Sequence, residues 1–377
     1  MNATGRTEHI ETVVIGAGQA GLSTGYHLAR RGRPFVVLDS NARVGDNWRC
    51  HWDSLRLFSP AKVASLPGMR FPAPPMSFPT KDEMADFLES YAETFALPVR
   101  GGERVARLRR EDGRYVVETD TTAYVCEHVV VASGSFGRTP YVPGFAAGLD
   151  PRITQLHSSA YKNPDQLRPG GVLVVGASHS GGDIAYEAGN AGHPTVLSGQ
   201  IHGEIPMDIE GRPAHAIFPV LWFLAQHVLN LRTPLGRKLR PEVRAHGGPL
   251  IRIKRDDLTG AGVELAAERT VGVREGMPVL DGGRVLDVAN VVWCTGFRQD
   301  FSWIDLPVTG EDGWPLEHRG VVPTAPGLYF VGLAFQYAFA SMLIGGAGRD
   351  AEYVVNHLVK HRARTPARPR TGAGATA

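Results

Sequence analysis

The sequence predicts an α/β fold of two similar units, each a parallel sheet packed between helices. Three observations predict it. Two short apolar runs, Val13-Val14-Ile15 and Val172-Leu173-Val174-Val175, lead into glycine-rich turns. The turns read Gly16-Ala17-Gly18-Gln19-Ala20-Gly21 and Gly176-Ala177-Ser178-His179-Ser180-Gly181, 160 positions apart. A helix-like run and a second apolar run follow each turn. The 377 residues suffice for two domains of ordinary size, and 43% hydrophobic residues can fill their cores.

The first turn has the chemistry of a dinucleotide fingerprint. Gly16 permits the tight exit from the strand, Gly18 lets a pyrophosphate approach the backbone, and Gly21 lets the helix pack on the sheet. The phosphates then meet the positive end of a helix and its free N–H groups. That helix is predicted from Gln19 to about Arg31 and stops at Gly32. The next strand, Phe35-Val36-Val37-Leu38, ends at Asp39, which lies 18 residues past Gly21. This is near the spacing of about 20 for a carboxylate that binds ribose hydroxyls.

In the second turn Ser178 replaces the middle glycine, so a small side chain stands where the phosphate would approach, and its hydroxyl is expected to donate to that phosphate. A helix is predicted from Gly182 through Ala191, then a strand over Pro194-Thr195-Val196-Leu197. No acid stands at its tip, and no Lys or Arg occurs between Ser198 and Gly211. A 2′-phosphate is therefore neither repelled nor clamped. NADPH is expected, with NADH also accepted. Two fingerprints in one chain imply two dinucleotides, and hence a flavin enzyme reduced by a nicotinamide coenzyme.

Composition narrows the alternatives. The formal net charge of +2 gives no reason to invoke nucleic acid or an anionic membrane. Cys50, Cys126 and Cys294 form no Cys-x-x-Cys pair, which disfavours a dithiol–disulfide reductase, and all three are expected to be buried as small apolar residues. No metal-ligand spacing occurs among Cys and His. No signal peptide is visible at the N-terminus, and the longest apolar stretch, Ala216 to Leu231, is too short to span a bilayer. A soluble cytoplasmic protein is expected.

The chain is expected to begin with a loose segment, residues 1–8. Residues 9–165 and 288–362 are assigned to the first nucleotide domain, and 168–287 to a second inserted into it. Val291-Val292-Trp293-Cys294-Thr295-Gly296 is read as a strand returning to the first domain, Gly327 to Gly332 as another, and a final helix as running from about Gly345 to His361. An apolar helical insertion is placed at about 205–245. Within it, Ile217-Phe218-Pro219-Val220-Leu221-Trp222-Phe223-Leu224 would be apolar on nearly all sides as a helix, so it has to be covered. Packing against its own domain is the expected cover; a substrate channel, a homodimer contact and a membrane-surface contact are the alternatives. Residues 363–377, rich in Pro, Ala, Gly and Thr and including Arg364, Arg368 and Arg370, read as a disordered tail.

Together these segments resemble the flavin-containing monooxygenases, over about residues 10–360. Carrying motifs are Gly45-Asp46-Asn47-Trp48-Arg49 with His51-Trp52-Asp53-Ser54-Leu55-Arg56-Leu57, the glycine-ended Val131-Ala132-Ser133-Gly134 and Cys294-Thr295-Gly296-Phe297, and Ser180-Gly181-Gly182-Asp183-Ile184-Ala185. The resemblance includes the small bacterial forms and the plant indole-pyruvate monooxygenases. It implies two Rossmann-like dinucleotide-binding domains, an FAD domain with an inserted NAD(P)H domain. On the flavin side it adds Gln19, Ala20, Ser40, Asn47, Trp48, Arg49, His51, Val105, Ser133 and Gly134. Cys294, Thr295, Gly296 and Tyr337 complete that set. On the coenzyme side it adds His179, Ser180, Ser198, Gln200 and His202.

The implied reaction uses reduced FAD and O2 to form a C4a-(hydro)peroxyflavin, which gives one oxygen atom to a small nucleophile such as a sulfide or amine. His157 and Tyr161 fill the last two places of the family signature, while Pro151 and Ile153 replace its Phe and Gly. The Baeyer–Villiger signature ends in Trp, so Tyr161 favours heteroatom oxygenation. A Baeyer–Villiger or oxidative-decarboxylating reaction on a carbonyl substrate stays open. So does a flavoprotein that senses nucleotides without oxygenating. Ser59, His157, Gln336 and Tyr337 are the candidate catalytic residues. His157 is read first as structural, tying the interdomain loop. Phe335, Tyr337 and Phe339 are candidates for a pocket lining near the flavin.

Overall fold

The computed structural model describes residues 6–134, 139–245 and 247–362. Its helices in chain order are α1 (Gln19–Ala29), α2 (Asp46–Arg49), α3 (Lys81–Thr94), α4 (His179–Asn190), α5 (Arg212–Phe223), α6 (Pro234–Ala245), α7 (Arg255–Gly260) and α8 (Ile344–Arg362). Two five-stranded parallel sheets organise the chain. The first runs in the order Leu328–Phe330, His128–Val131, Thr12–Ile15, Phe35–Leu38, Val99–Arg100. The second runs Thr154–His157, Asn290–Trp293, Val172–Val175, Thr195–Ser198, Val263–Ala266. In each sheet the strand that leads into a fingerprint is central, flanked on one side by the strand that follows its helix.

Burial explains the apolar runs. All four residues of Thr12–Ile15, Phe35–Leu38, Val172–Val175 and Asn290–Trp293 are buried, as strands covered on both faces must be. One face of the first sheet packs on α1, α3 and α8 through Leu22, Leu28, Met84, Leu88, Val354 and Leu358. The other packs against a four-stranded sheet in the order Arg6–His9, Thr122–Cys126, Arg114–Thr119, Val105–Glu111. Each buried Val or Leu contributes about 1.5–3 kcal/mol. α3 starts on a Thr-x-x-Glu box: the Glu83 N–H donates to Thr80 Oγ1 at 3.2 Å, and the Thr80 N–H to the Glu83 carboxylate at 2.7 Å.

The structure departs from the sequence reading in several places. Residues 6–8 of the expected loose start belong to a strand, which pairs in parallel with Thr122–Cys126. α4 begins at His179, three residues before the expected Gly182. Residues 290–293 do not join the first sheet; they lie between Thr154–His157 and Val172–Val175 in the second. Both flanking stretches expected in the first domain, 154–157 and 290–293, therefore complete the second sheet. The reason is symmetry: Asn290–Trp293 stands beside the second fingerprint strand as His128–Val131 stands beside the first. Cys126 is buried, but Cys50 is exposed, so burial does not hold for all three cysteines. The expected tail, 363–377, lies outside the described residues.

Candidate active site

The two glycine turns are built alike, and the reason is steric. Gly16 and Gly176 both have φ of +108°, and an added Cβ would lie 2.5 Å from the Ala132 carbonyl oxygen in one and 2.4 Å from that of Cys294 in the other. A Cβ on Gly21 or Gly181 would lie 1.8 Å from the carbonyl oxygen of Gly16 or Gly176. Gly18 differs: its φ is −76° and a Cβ there would meet nothing within 4 Å. These four glycines therefore serve packing and turn geometry, while Gly18 keeps clear the space before the helix N-terminus. Gln19 and Ala20 form the first turn of α1, and a Cβ on Gly332 would lie 2.7 Å from that of Ala20. Ser133 and Gly134 continue past Ala132 along the same edge, with Gly134 at φ +78°.

Asp39 is fixed beside this turn. One carboxylate oxygen accepts the Ala17 N–H at 2.5 Å, the other the Asn41 N–H and side-chain amide at 2.8 Å each. Ser40 next to it is exposed. The indole N–H groups of Trp48 and Trp52 are buried without hydrogen-bond partners, which marks them as donors for an absent acceptor. Trp48 packs against the cores of both units, with His51 between the two indoles at centroid distances of 6.0 and 5.9 Å. Burial, then Lys162 and Lys81, lower His51 to about 4, so it is neutral at pH 7. An open cradle, a held carboxylate and two orphaned donors fit a flavin dinucleotide.

Several predicted ligands are already spent. The Arg49 guanidinium pairs with Asp46, Asp86 and Glu89 at 3.1, 2.8 and 2.9 Å and donates to the Val44 carbonyl, so it clasps α2 to α3. Asn47 is exposed, and Val105 is a core residue at the start of Val105–Glu111. Gln336 is fully buried; its amide donates to the Phe330 carbonyl at 3.0 Å and accepts the Leu333 N–H at 3.3 Å, which shapes the 330–336 turn. His157 is buried against the Gly296 carbonyl (3.0 Å) and Ser159 Oγ (2.9 Å), and burial lowers it. It ties the Thr154–His157 strand to the Gly296 turn. The Thr295 hydroxyl donates to the Tyr141 carbonyl. Burial raises the Cys294 thiol and keeps it protonated. Ser59 adjoins Phe58, whose ring lies 4.9 Å from that of His179, so this loop faces the second turn.

The second turn is covered. The Ser178 hydroxyl, expected on a phosphate, donates instead to the Gly248 carbonyl at 2.9 Å, and His179 Nδ1 lies 3.1 Å from the Pro249 carbonyl. Leu250 is fully buried, its side chain 2.7 Å from where a Gly182 Cβ would sit. The 247–250 segment thus lies over the start of α4, beside Ser180 and Gly181. The turn fits a dinucleotide; this cover has to shift to admit one. Ser198 is buried; its hydroxyl donates to the Glu268 main-chain carbonyl and lies beside the Thr270 hydroxyl, both at 2.9 Å, while Gln200 and His202 are exposed. The sequence reading missed Arg255, whose guanidinium reaches the Ile201 carbonyl at 3.3 Å, because it lies far along the chain from that strand tip.

A second missed feature is a set of guanidinium groups around Tyr337. Arg319, Arg349 and Arg232 lie 4.1, 4.9 and 6.0 Å from its ring centroid. Arg319 Nε and Arg349 Nη2 are buried without hydrogen-bond partners. The nearby Asp350 is buried, and burial raises its carboxyl despite both arginines. No short motif signals this set, since its members come from three separate segments.

Comparison with known proteins agrees with this architecture. The family described as Pyridine nucleotide-disulphide oxidoreductase matches residues 13–203. A Geobacillus kaustophilus protein named Uncharacterized oxidoreductase CzcO-like is 39% identical, over 93% of this chain and 99% of its own. An Arabidopsis thaliana protein named Probable indole-3-pyruvate monooxygenase YUCCA9 is 28% identical, over 92% of this chain and 88% of its own. The solved flavin-containing monooxygenase from Stenotrophomonas maltophilia superposes with a TM-score of 0.76 at 26% identity, covering 94% of this chain and 99% of that one. The chain belongs to the pyridine nucleotide-disulphide oxidoreductase family, on its flavin monooxygenase branch. It is an oxidoreductase, a flavin-dependent monooxygenase that uses a flavin and a nicotinamide cofactor.

Proposed function

We propose that this chain binds FAD in the first cradle and NADPH or NADH in the second, and gives one oxygen atom of O2 to a sulfide or amine. The observation that carries this reading is the pair of sterically matched glycine turns, the first open at Gly18. Bound FAD would supply hydride acceptance and oxygen activation. The chain's own residues do the rest. The α1 N–H groups and Gly18 take the pyrophosphate, and Asp39 takes ribose hydroxyls. Trp48 and Trp52 donate their unused indole N–H groups. The neutral His51 and the protonated Cys294 add no charge of their own at the junction. Arg255, beside Ile201, supports NADPH binding, and nothing at the Ser198 strand tip repels NADH.

The guanidinium groups at Tyr337 favour a second reading, a substrate that carries a carboxylate, such as a 2-oxo acid undergoing oxidative decarboxylation. The name of the Arabidopsis relative points the same way. One experiment covers both readings: purified holoenzyme is supplied with each coenzyme, O2, and a panel of sulfides, amines, ketones and 2-oxo acids. The expected outcome is oxygenated product formed one-for-one with coenzyme oxidised. The preference for NADPH over NADH is expected to fall below about a thousandfold, because no clamp sits on the strand tip itself. Hydrogen peroxide with no oxygenated product from any class would overturn the proposal in favour of a nucleotide-sensing flavoprotein.

A further inference from the structure

The predicted cover for the apolar insertion forms on one side only. Ile217, Val220, Leu221 and Leu224 recur at the i, i+3, i+4, i+7 spacing of one helix face along α5 and the turn that continues it, and with Phe223 they are 37–58% exposed. With Leu235 on α6, this insertion holds six of the ten large hydrophobic residues that are exposed among the described residues. Scattered apolar residues need no explanation, but a cluster this dense does. The insertion is nevertheless firmly seated. The Leu231 N–H donates to the Tyr337 carbonyl at 2.9 Å, the Phe339 N–H to that of Leu229 at 2.8 Å, and Arg349 to that of Gln226 at 3.2 Å. The stripe is the side left over once those contacts are made.

Charge identifies what covers it. Residues 211–245 contain six Lys or Arg and one acid, a local +5 in a chain whose net charge is +2. Glu317 pairs with Arg240 and Arg244. Arg212, Arg232, Arg237 and Lys238 are exposed, and Lys238 shares a face of α6 with the exposed Leu235 at i, i+3. With Glu317 counted, a second copy on this stripe would set +4 against +4. An anionic bilayer surface satisfies both the apolar face and the cations. We propose that α5 and α6 dock this protein on the surface of a membrane containing anionic lipid, α5 seating its apolar stripe at the acyl boundary. Among the described residues no helix is long and apolar enough to cross a membrane, which fits a surface contact.

The test is co-sedimentation of the full-chain holoenzyme with vesicles of phosphatidylcholine alone and of phosphatidylcholine with about 30% phosphatidylglycerol. Binding is expected to the anionic vesicles and to fall steeply as salt is raised to roughly 0.5 M. A Val220→Glu, Leu221→Glu double variant is expected to lose binding. An Arg237→Glu, Lys238→Glu variant is expected to weaken it by about a hundredfold. All four positions are exposed, and an unchanged far-ultraviolet circular dichroism spectrum together with retained flavin absorbance confirms folding in both variants. Equal binding to neutral and anionic vesicles, or none to either, would overturn the proposal. So would a concentration-dependent dimer abolished by the Val220/Leu221 changes, which would assign the stripe to a second copy.

Discussion

Gly18 and Gly21 sit three residues apart in one motif, yet their substitutions are expected to fail for different reasons. Gly18 has an extended φ and open space before it, so Gly18→Val leaves the apoprotein folded and blocks the phosphate. Gly21→Ala drives a methyl into the Gly16 carbonyl and strains the turn itself, at about 1–3 kcal/mol or more. Thermal denaturation of the flavin-free proteins, with flavin content after reconstitution, separates the two. Gly18→Val is expected to melt near wild type but colourless, Gly21→Ala several degrees lower. A Gly18→Val protein that purifies fully yellow would refute the placement of the pyrophosphate. The turn geometry of the glycines and the place of Asp39 beside it were legible in the sequence because local backbone geometry sets them. The contacts of Ser178 and Arg49 were not, because each is made to a partner that spacing does not reveal, and Gln336 turns inward on its own 330–336 turn. Gly248 lies 70 residues from Ser178, and Glu89 lies 40 from Arg49.

At the scale of the element, α4 carries two acids into the junction. Tyr161, fully buried, donates to Glu187 at 2.9 Å, and Ser54 also donates to it, so α4 is bound to the flavin-side segment. Asp183 is more isolated: burial, opposed by Arg252 and assisted by Glu187, raises its carboxyl to about 7. Its folded pKa thus lies above the ordinary 3.8, and the folded state holds the extra proton between those values. Its contribution is fully present below about pH 4 and is lost as the pH rises to 7. Asp183→Asn removes this titration. In urea denaturation the variant is expected to gain on wild type between pH 4 and 7, by on the order of 4 kcal/mol, and to hold that gain at higher pH. A wild-type minus variant difference that does not change over this range would show that Asp183 ionises normally. The strand and helix cores were legible from their apolar runs. This acid was not, since its titration depends on what α4 packs against.

For the whole molecule, the insertion is the feature whose seating the sequence does not show. Its position and apolar character are local; the anchors that leave one side bare come from 314–349, a hundred residues away. The principal anchor is ionic. The Glu317 side chain is fully buried, accepts from Arg240 at 2.5 Å and Arg244 at 3.3 Å, and also takes the Gly320 N–H at 2.8 Å. Arg244 stacks on Trp314 at 4.3 Å, and burial lowers it to about 10. Removing one member of such a group strands the other charges and costs about 3 kcal/mol. Glu317→Gln is therefore expected to loosen α6 while the Gly18 cradle, held by its own backbone contacts, stays formed. Arg237 and Lys238 are exposed on α6 and provide trypsin sites. Cleavage there is expected to speed up by roughly a hundredfold when the opening equilibrium shifts by that amount, with flavin content unchanged. Unchanged cleavage would mean that the backbone contacts at Tyr337 and Phe339 hold the insertion without Glu317. Cleavage accompanied by flavin loss would mean that the insertion and the first cradle open as one unit.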